Sequence, residues 1–181
     1  MTITESGMIF GNFPDNDVCN IERTSFYESF LSNGVKTVEF ILIRNRNDKG
    51  KYIFVEAKTT FPNPETPASF DEGINEIALK FIHTIELIAA VLTGIHDDRE
   101  EELGIFQGGL KSRKIELTLV IANHKDEWLP PVSDALKRQL KAHKKIWKAD
   151  IRVMHKQDAI NNRLVIKDLE LEKGEFDNEQ A

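Results

Sequence analysis

The chain has 181 residues, of which 40% are apolar and 30% charged, and its formal net charge at neutral pH is −6. This length suits one domain with a real hydrophobic core, and the composition is ordinary for a globular protein. No run of about eighteen apolar residues occurs, so the sequence predicts no membrane span. The N-terminal residues show no export signal, and the single Cys19 has no internal partner, so we expect a cytoplasmic location.

The charge is distributed unevenly along the chain. Residues 111–156 carry 12 basic and 5 acidic side chains, a net charge of +7, whereas residues 1–110 have a net charge of −9. This block is consistent with a basic surface that binds nucleic acid, although charge alone favours lysines that solvate an exposed helix. Both interpretations stay open.

The first predicted elements are a helix and a β-hairpin. IERTSFYESFL predicts a helix over about residues 20–32, although Ser25 and Glu28 fit a capping box that starts it later. Strands are predicted over residues 35–44 and 51–59, joined through a turn that contains NDKG. No clear first strand is evident between the initial helix and this hairpin, unless MIFGNF supplies it out of order or the start of the hairpin also serves as that strand.

A long buried helix is predicted after the proline-containing loop at residues 60–68. Ser69 and Glu72 form a capping box at its start, and Gly94 ends it. Residues 96–114 predict a polar loop, and the nearly continuous apolar run at residues 115–123 predicts a central strand that is covered on both faces.

The last third of the chain predicts a second helix and further strands. Pro130 and Pro131 introduce a helix over about residues 132–147 with a basic outer face, and IRVMHK predicts a strand. RLVIKDLEL predicts an edge strand or a packed extension, and the acidic end at about residues 172–181 predicts a frayed tail. The order of elements predicts the α/β class, with a central mixed β-sheet flanked by helices.

Three charged residues interrupt the apolar hairpin. Residues two apart in a strand share a face, so Glu56 and Lys58 point the same way. A turn centred near residues 47–48 places Glu39 opposite Glu56, and the three charges then lie within roughly 5 to 8 Å of each other. The alternative is an ordinary surface salt bridge, but the flanking VEFILI and YIFVEA predict a covered cleft where unpaired charge is costly. A divalent cation would balance the two carboxylates, and oxygen ligands favour Mg²⁺ or Mn²⁺.

An acidic residue followed 17 positions later by Glu-x-Lys, across a β-hairpin, resembles the PD-(D/E)xK superfamily of restriction endonuclease-like phosphodiesterases. The resemblance covers roughly residues 20–123. It departs from the family pattern in having Glu39 where Asp is usual and Val38 in place of the proline. It implies a single nuclease-like domain with a restriction endonuclease-like core, which we place at about residues 20–156.

The resemblance also implies roles for particular residues. Glu39, Glu56 and the backbone carbonyl of Ala57 are expected to hold the metal ion. The helix before the hairpin is expected to add a further ligand, either Glu22 or its rival Glu28. Lys58 is then expected to orient or deprotonate the attacking water, or to stabilise charge on the phosphate. Glu39, Glu56 and Lys58 are therefore the predicted catalytic residues.

The expected function is a divalent-metal-dependent nuclease that hydrolyses phosphodiester bonds of nucleic acid, with DNA preferred. Beside a nuclease-like core, the basic helix is expected to contact a phosphate backbone through Lys137, Lys141, Lys144, Lys145 and Lys148. One alternative is a catalytically inactive nuclease-like domain that binds nucleic acid or a protein partner, and another is a plain interaction domain. Cutting both strands of a duplex commonly calls for two sites, which leaves a homodimer open.

Overall fold

The computed structural model describes residues 1–44, 50–96, 103–106 and 108–167. Within these ranges the chain forms seven strands and five α-helices. The strands are β1 (Ile3–Glu5), β2 (Met8–Phe10), β3 (Val18–Cys19), β4 (Phe40–Arg44), β5 (Lys51–Lys58), β6 (Lys114–Ile121) and β7 (Asp150–His155). The helices are α1 (Ser25–Glu28), α2 (Pro67–Leu92), α3 (Leu129–Gln139), α4 (Lys141–Trp147) and α5 (Lys156–Asn161).

The main sheet has five strands in the order β3-β4-β5-β6-β7. β3, β4 and β5 are antiparallel neighbours, whereas β6 and β7 run parallel to β5. The parallel step from β5 to β6 requires a crossover, and α2 lies in that connection. The predicted α/β class with a mixed sheet flanked by helices is confirmed. None of the described helices combines the length and the apolar composition that crossing a membrane requires.

Helices cover one face of the sheet and smaller elements cover the other. Apolar side chains of α2 and α3 pack with Ile41, Phe54 and Leu119 in the larger core cluster. The opposite face packs against the β1–β2 hairpin, α5 and the residues at 164–166. All residues of β6 after Lys114 are buried, as the apolar run at residues 115–123 predicted for a central strand.

The predicted helix at residues 20–32 is wrong as a single element. The structure has only α1, between the 3₁₀ turns Ile21–Arg23 and Leu31–Asn33. The N-cap is Thr24, whose Oγ1 accepts a hydrogen bond from the Tyr27 backbone N–H at 3.2 Å, so the predicted capping box at Ser25 is also wrong. Thr24 and Ser29 hydroxyls bond to nearby backbone groups, which competes with a continuous helix.

The strand that precedes the hairpin in the sheet is β3, upstream of α1. MIFGNF supplies β2 of a separate two-stranded sheet instead. The extension at residues 164–166 is packed, because Leu164, Val165 and Ile166 are buried and Val165 forms a β-bridge with Phe10. The predicted turn at residues 45–49, much of the polar loop, the end of RLVIKDLEL and the acidic tail lie outside the described residues.

Two helix boundaries differ from the sequence prediction. α2 begins at Pro67, and the Ser69 hydroxyl donates to the Thr66 carbonyl at 3.2 Å, so Ser69 lies inside the first turn and does not cap it. Proline fits this first position because its missing N–H has no partner there in any helix. The helix predicted at residues 132–147 is split into α3 and α4 at Leu140, where φ is −92° and ψ is 12°.

Candidate carboxylate site

The hairpin places two carboxylates opposite each other. Phe40 pairs with Val55, so continuing the register by one residue sets Glu39 opposite Glu56, as the sequence predicted. Along β5, side chains alternate between faces, and Tyr52 and Phe54 belong to the core cluster under α2. Glu56 therefore lies on the helix-covered face, and its side chain is fully buried.

A lysine from α2 lies between the two carboxylates. Lys80 Nζ is 2.8 Å from Glu56 Oε1, 2.9 Å from Glu56 Oε2 and 3.2 Å from Glu39 Oε1. Only 12% of the Lys80 side chain and 13% of the Glu39 side chain are exposed. Sequence reasoning missed Lys80. The available signal was its position three residues after Ile77 and four before Thr84, both of which are buried.

Lys58 lies at the opening of this cluster. Its Nζ is 3.5 Å from Glu56 Oε1 and 2.9 Å from Glu76 Oε1, and 29% of its side chain is exposed. The hydrogen bond from Lys58 to Glu76 lowers the pKa of the Glu76 carboxyl. Lys58 thus links a buried carboxylate to a solvent-facing one on α2. Glu39, Glu56 and Lys58, predicted to meet on one face, are brought together by the structure.

Burial and opposite charge act against each other in this network. Burial raises the pKa of Glu56 to about 7, with a further increase from the Glu39 charge, while the ammonium of Lys80 opposes both. Burial alone would lower the pKa of Lys80, but the charges and hydrogen bonds of Glu56 and Glu39 outweigh it and raise that pKa. Lys80 is therefore a fixed positive charge, and Glu56 is the group that titrates near neutral pH.

Two further carboxylates lie at the rim of the cluster. Partial desolvation and the charge of Glu39 raise the pKa of Glu22, although the residue as a whole is exposed, and Lys80 opposes this shift. The same causes raise the pKa of Glu5, at the end of β1. The charge of Glu39 therefore acts on the predicted Glu22 and also on Glu5, which sequence reasoning missed. Glu28 is not among the charges that act on Glu5, Glu22 or Glu56.

The carbonyl of Ala57 lies at an open edge of β5. The Lys58 carbonyl accepts a hydrogen bond from Ala122 on the β6 side, and carbonyls alternate along a strand. The Ala57 carbonyl therefore points to the other side, where β4 has not yet begun. There it accepts a hydrogen bond from the Ser6 hydroxyl at 3.0 Å, in the turn between β1 and β2. The predicted backbone ligand is thus outside the strand ladder and next to the carboxylates.

The candidate donor set for a hard divalent cation is made of oxygen atoms. It consists of the carboxylates of Glu39 and Glu56 and the Ala57 carbonyl, and both oxygens of Glu56 already contact the Lys80 ammonium, at 2.8 and 2.9 Å. Mg²⁺ commonly takes one or two carboxylates and keeps several waters. Across the described ranges, no group of three or more His, Cys, Asp or Glu side chains could hold a metal ion, so the fit depends on the carbonyl and on water. Lys80 is the competing cation.

The predicted nucleic-acid contacts lie in the segment that forms α3 and α4. All five lysines are exposed on α3 and α4 or directly after α4, namely Lys137, Lys141, Lys144, Lys145 and Lys148. Lys148 lines a cavity with Lys114, and Lys114 pairs with Lys51 at the amino end of β5. Lys58 is at the carboxyl end of the same eight-residue strand, roughly 23 Å away at about 3.3 Å per residue. The structure therefore does not bring Lys148 to the carboxylate site.

Comparisons of the chain with protein-family models, with curated proteins and with solved structures find no match. The chemistry of the site is therefore interpreted from its own geometry.

Proposed function

We propose that the carboxylate site hydrolyses phosphodiester bonds of nucleic acid, with DNA preferred and Mg²⁺ or Mn²⁺ as cofactor. The observation that carries this proposal is that Glu39, Glu56, Lys58 and the Ala57 carbonyl all lie at the carboxyl end of β5. Two carboxylates, a backbone oxygen and a neighbouring ammonium are the groups that metal-assisted phosphodiester hydrolysis uses.

The order of elements also supports a restriction endonuclease-like core. α1, the β4–β5 hairpin, α2 and β6 follow one another along the chain, with Glu39 directly before the first hairpin strand and Glu56 and Lys58 in the second. Helix, hairpin, helix and strand is the order that the resemblance to the PD-(D/E)xK superfamily implies. The presence of β3 before α1 is a departure from that order.

Glu39, Glu56 and Ala57 would hold the cation, which supplies Lewis acidity and a bound water of lowered pKa. Lys58 is the partly exposed cation at the rim, where it would face the phosphate and stabilise the charge that develops there. Glu76 orients Lys58 through the 2.9 Å ion pair. Lys80 holds the two carboxylates side by side and offsets their repulsion.

A second candidate is an inactive nuclease-like domain that binds nucleic acid or a protein partner. The observation that favours it is the position of Lys80, whose ammonium already neutralises Glu39 and Glu56 at 2.8 to 3.2 Å. In this alternative the network is structural, and a divalent cation gains nothing by displacing the lysine.

Calorimetric titration with Mg²⁺ or Mn²⁺, combined with cleavage of plasmid and single-stranded DNA, separates the two candidates. The wild type is expected to bind metal and to cut, and Glu56→Gln to lose both. Lys58→Met is expected to keep metal binding but to lose at least about 100-fold in cleavage rate. The matched control is Lys167→Met, because Lys167 is an exposed lysine that makes no ion pair with Glu39, Glu56 or Glu76.

Two results would contradict the proposal. If titration of the wild type with Mg²⁺ or Mn²⁺ releases or absorbs no heat of binding, the proposed metal site does not exist. If Lys58→Met cleaves DNA at the same rate as Lys167→Met, Lys58 takes no part in the reaction.

A further inference from the structure

A basic cavity lies at the amino end of β6, which is the far end of the sheet from Glu56. Its walls come from two segments: Leu110–Ile115, which contains a 3₁₀ turn and the start of β6, and the end of α4 with Lys148. The carboxylate site lies at the carboxyl end of β5, roughly one eight-residue strand away. The two sites are therefore independent in position.

Four cations line the basic cavity: Lys111, Arg113, Lys114 and Lys148. None of the lining residues within the described ranges is acidic, and no ion pair joins Lys111, Lys114 or Lys148 to a carboxylate in those ranges. Like charges at this density repel each other, and an anion held between them would relieve that repulsion.

Stabilisation of a helix C-terminus explains the cations on only one wall of the cavity. Lys144 and Lys145 in the last turn of α4, with Lys148 directly after it, interact favourably with the helix C-terminus. Lys111, Arg113 and Lys114 belong to a different segment and have no such role. Arg113 lies over the ring of Tyr52, with its guanidinium carbon 5.9 Å from the ring centroid, which fixes one cation at the edge of the cavity. The convergence of the two segments therefore points to a ligand.

Apolar surface lies beside the cations. Ile146 lines the cavity with 69% of its surface exposed, and the partly buried Trp147 lines it next to Ile146. An exposed isoleucine beside an indole gives a flat or apolar group a place to pack, and aromatic rings stack on tryptophan. The volume of about 620 Å³ falls in the range of about 300 to 1,000 Å³ that is usual for small-molecule sites.

We propose that the basic cavity binds a nucleotide unit, with the phosphate between Lys111, Lys114 and Lys148 and the base against Trp147 and Ile146. A nucleotide combines a compact anion for the lysines with a flat ring for the tryptophan and isoleucine. The unit is either a free nucleotide or the 5′-phosphorylated end of a strand. This site is separate from the proposed catalytic site, so either proposal can be wrong while the other holds.

Fluorescence of Trp147 tests the proposal in the full chain, with EDTA present so that no metal-dependent cleavage occurs. In a Trp128→Phe background, AMP is expected to quench Trp147, and adenosine alone and inorganic phosphate alone are each expected to bind at least about tenfold more weakly. Lys114→Ala combined with Lys148→Ala is expected to weaken AMP binding at least about tenfold, whereas Lys167→Ala is the matched control and leaves it unchanged. Calorimetry on the chain with both tryptophans repeats the measurement if Trp128→Phe does not fold.

A 5′-phosphorylated hexa-deoxyadenylate distinguishes the two sources of the unit. Tighter binding than AMP that is lost with the 5′-phosphate assigns the cavity to a strand end, and weaker binding than AMP assigns it to a free nucleotide. The proposal is overturned if AMP and the phosphorylated oligonucleotide both fail to bind at about 5 mM, a concentration well above an ordinary small-molecule Kd. It is also overturned if the double lysine variant binds AMP as well as the control does, or if hexaglutamate binds while AMP does not.

Discussion

The charged side chains at the two ends of the sheet differ in whether they have partners of opposite charge. At the carboxyl end of β5, every buried charge has a partner: Lys80 contacts Glu39 and Glu56, and Lys58 contacts Glu56 and Glu76. In the basic cavity, three exposed lysines have no carboxylate partner in the described chain. Buried charge is costly unless it is compensated inside the protein, whereas water and salt screen exposed charge. The charges of the carboxylate site are therefore compensated within the protein, whereas those of the basic cavity are left to water, salt or a ligand.

The largest effect that tests this contrast is expected from Lys80→Met. At pH 8 the substitution leaves Glu39 and Glu56 without their main cation, so we expect the free energy of unfolding in urea to fall by about 3 to 5 kcal/mol. The matched change in the basic cavity, Lys148→Met, is expected to alter it by less than about 0.5 kcal/mol. Equal losses in the two variants would abolish the distinction between the two ends.

The pH dependence of stability tests the state of Glu56. A carboxyl whose folded-state pKa is raised binds its proton more tightly in the folded protein, so this contribution to stability is complete below about pH 4.5 and is lost as pH rises through about 7. In EDTA, the stability of the wild type relative to Glu56→Gln is therefore expected to fall by about 3 kcal/mol between pH 4.5 and pH 7.5.

The control for this prediction is Glu72→Gln, because Glu72 is exposed on α2. Its stability is expected to follow that of the wild type across the same pH range in urea unfolding. A constant difference between the wild type and Glu56→Gln at all pH values would show that the Glu56 pKa is not raised.

The smallest effect on stability is expected at the β1–β2 hairpin, and it tests whether the hairpin stabilises the carboxylate site at the carboxyl end of β5. Ser6→Ala removes the hydroxyl that bonds to the Ala57 carbonyl, so we expect a loss of about 1 kcal/mol in the free energy of unfolding. Ser32→Ala is the control, because the Ser32 hydroxyl makes only an exposed contact to Asn33 at 3.4 Å. If the two variants are equally stable, the hairpin does not stabilise the site through this hydrogen bond.

The parts of the site that depend on local rules could be predicted from the sequence. Strand periodicity places Glu56 and Lys58 on one face, and the symmetry of a hairpin about its turn sets Glu39 opposite Glu56. The apolar run of β6 likewise identified a strand covered on both faces. These features need only a few neighbouring residues, so the sequence pattern contains them.

The groups that complete the site come from segments brought in by tertiary packing. Lys80 and Glu76 reach it only because α2 crosses this end of the sheet, and Glu5 only because a separate hairpin packs beside it. A lysine in a helix is usually a solvated residue, so its residue type gave no signal. The bounds of α1 were predicted wrongly for a local reason. The Thr24 hydroxyl caps α1 at its start, whereas the apolar spacing predicted a helix that continues further in both directions.

Residues 164–166 form backbone hydrogen bonds with the β1–β2 hairpin and the residue after it, and these bonds affect the order in which the protein folds. Ile166 donates its backbone N–H to the Ile9 carbonyl at 2.8 Å, and Gly11 donates to the Leu164 carbonyl at 3.3 Å. These contacts join the first and last described segments, so forming them closes a loop through most of the chain, which is slower than pairing β4 with β5. During synthesis on the ribosome, the hydrogen bonds that join the β1–β2 hairpin to residues 164–166 therefore form only after those residues have emerged.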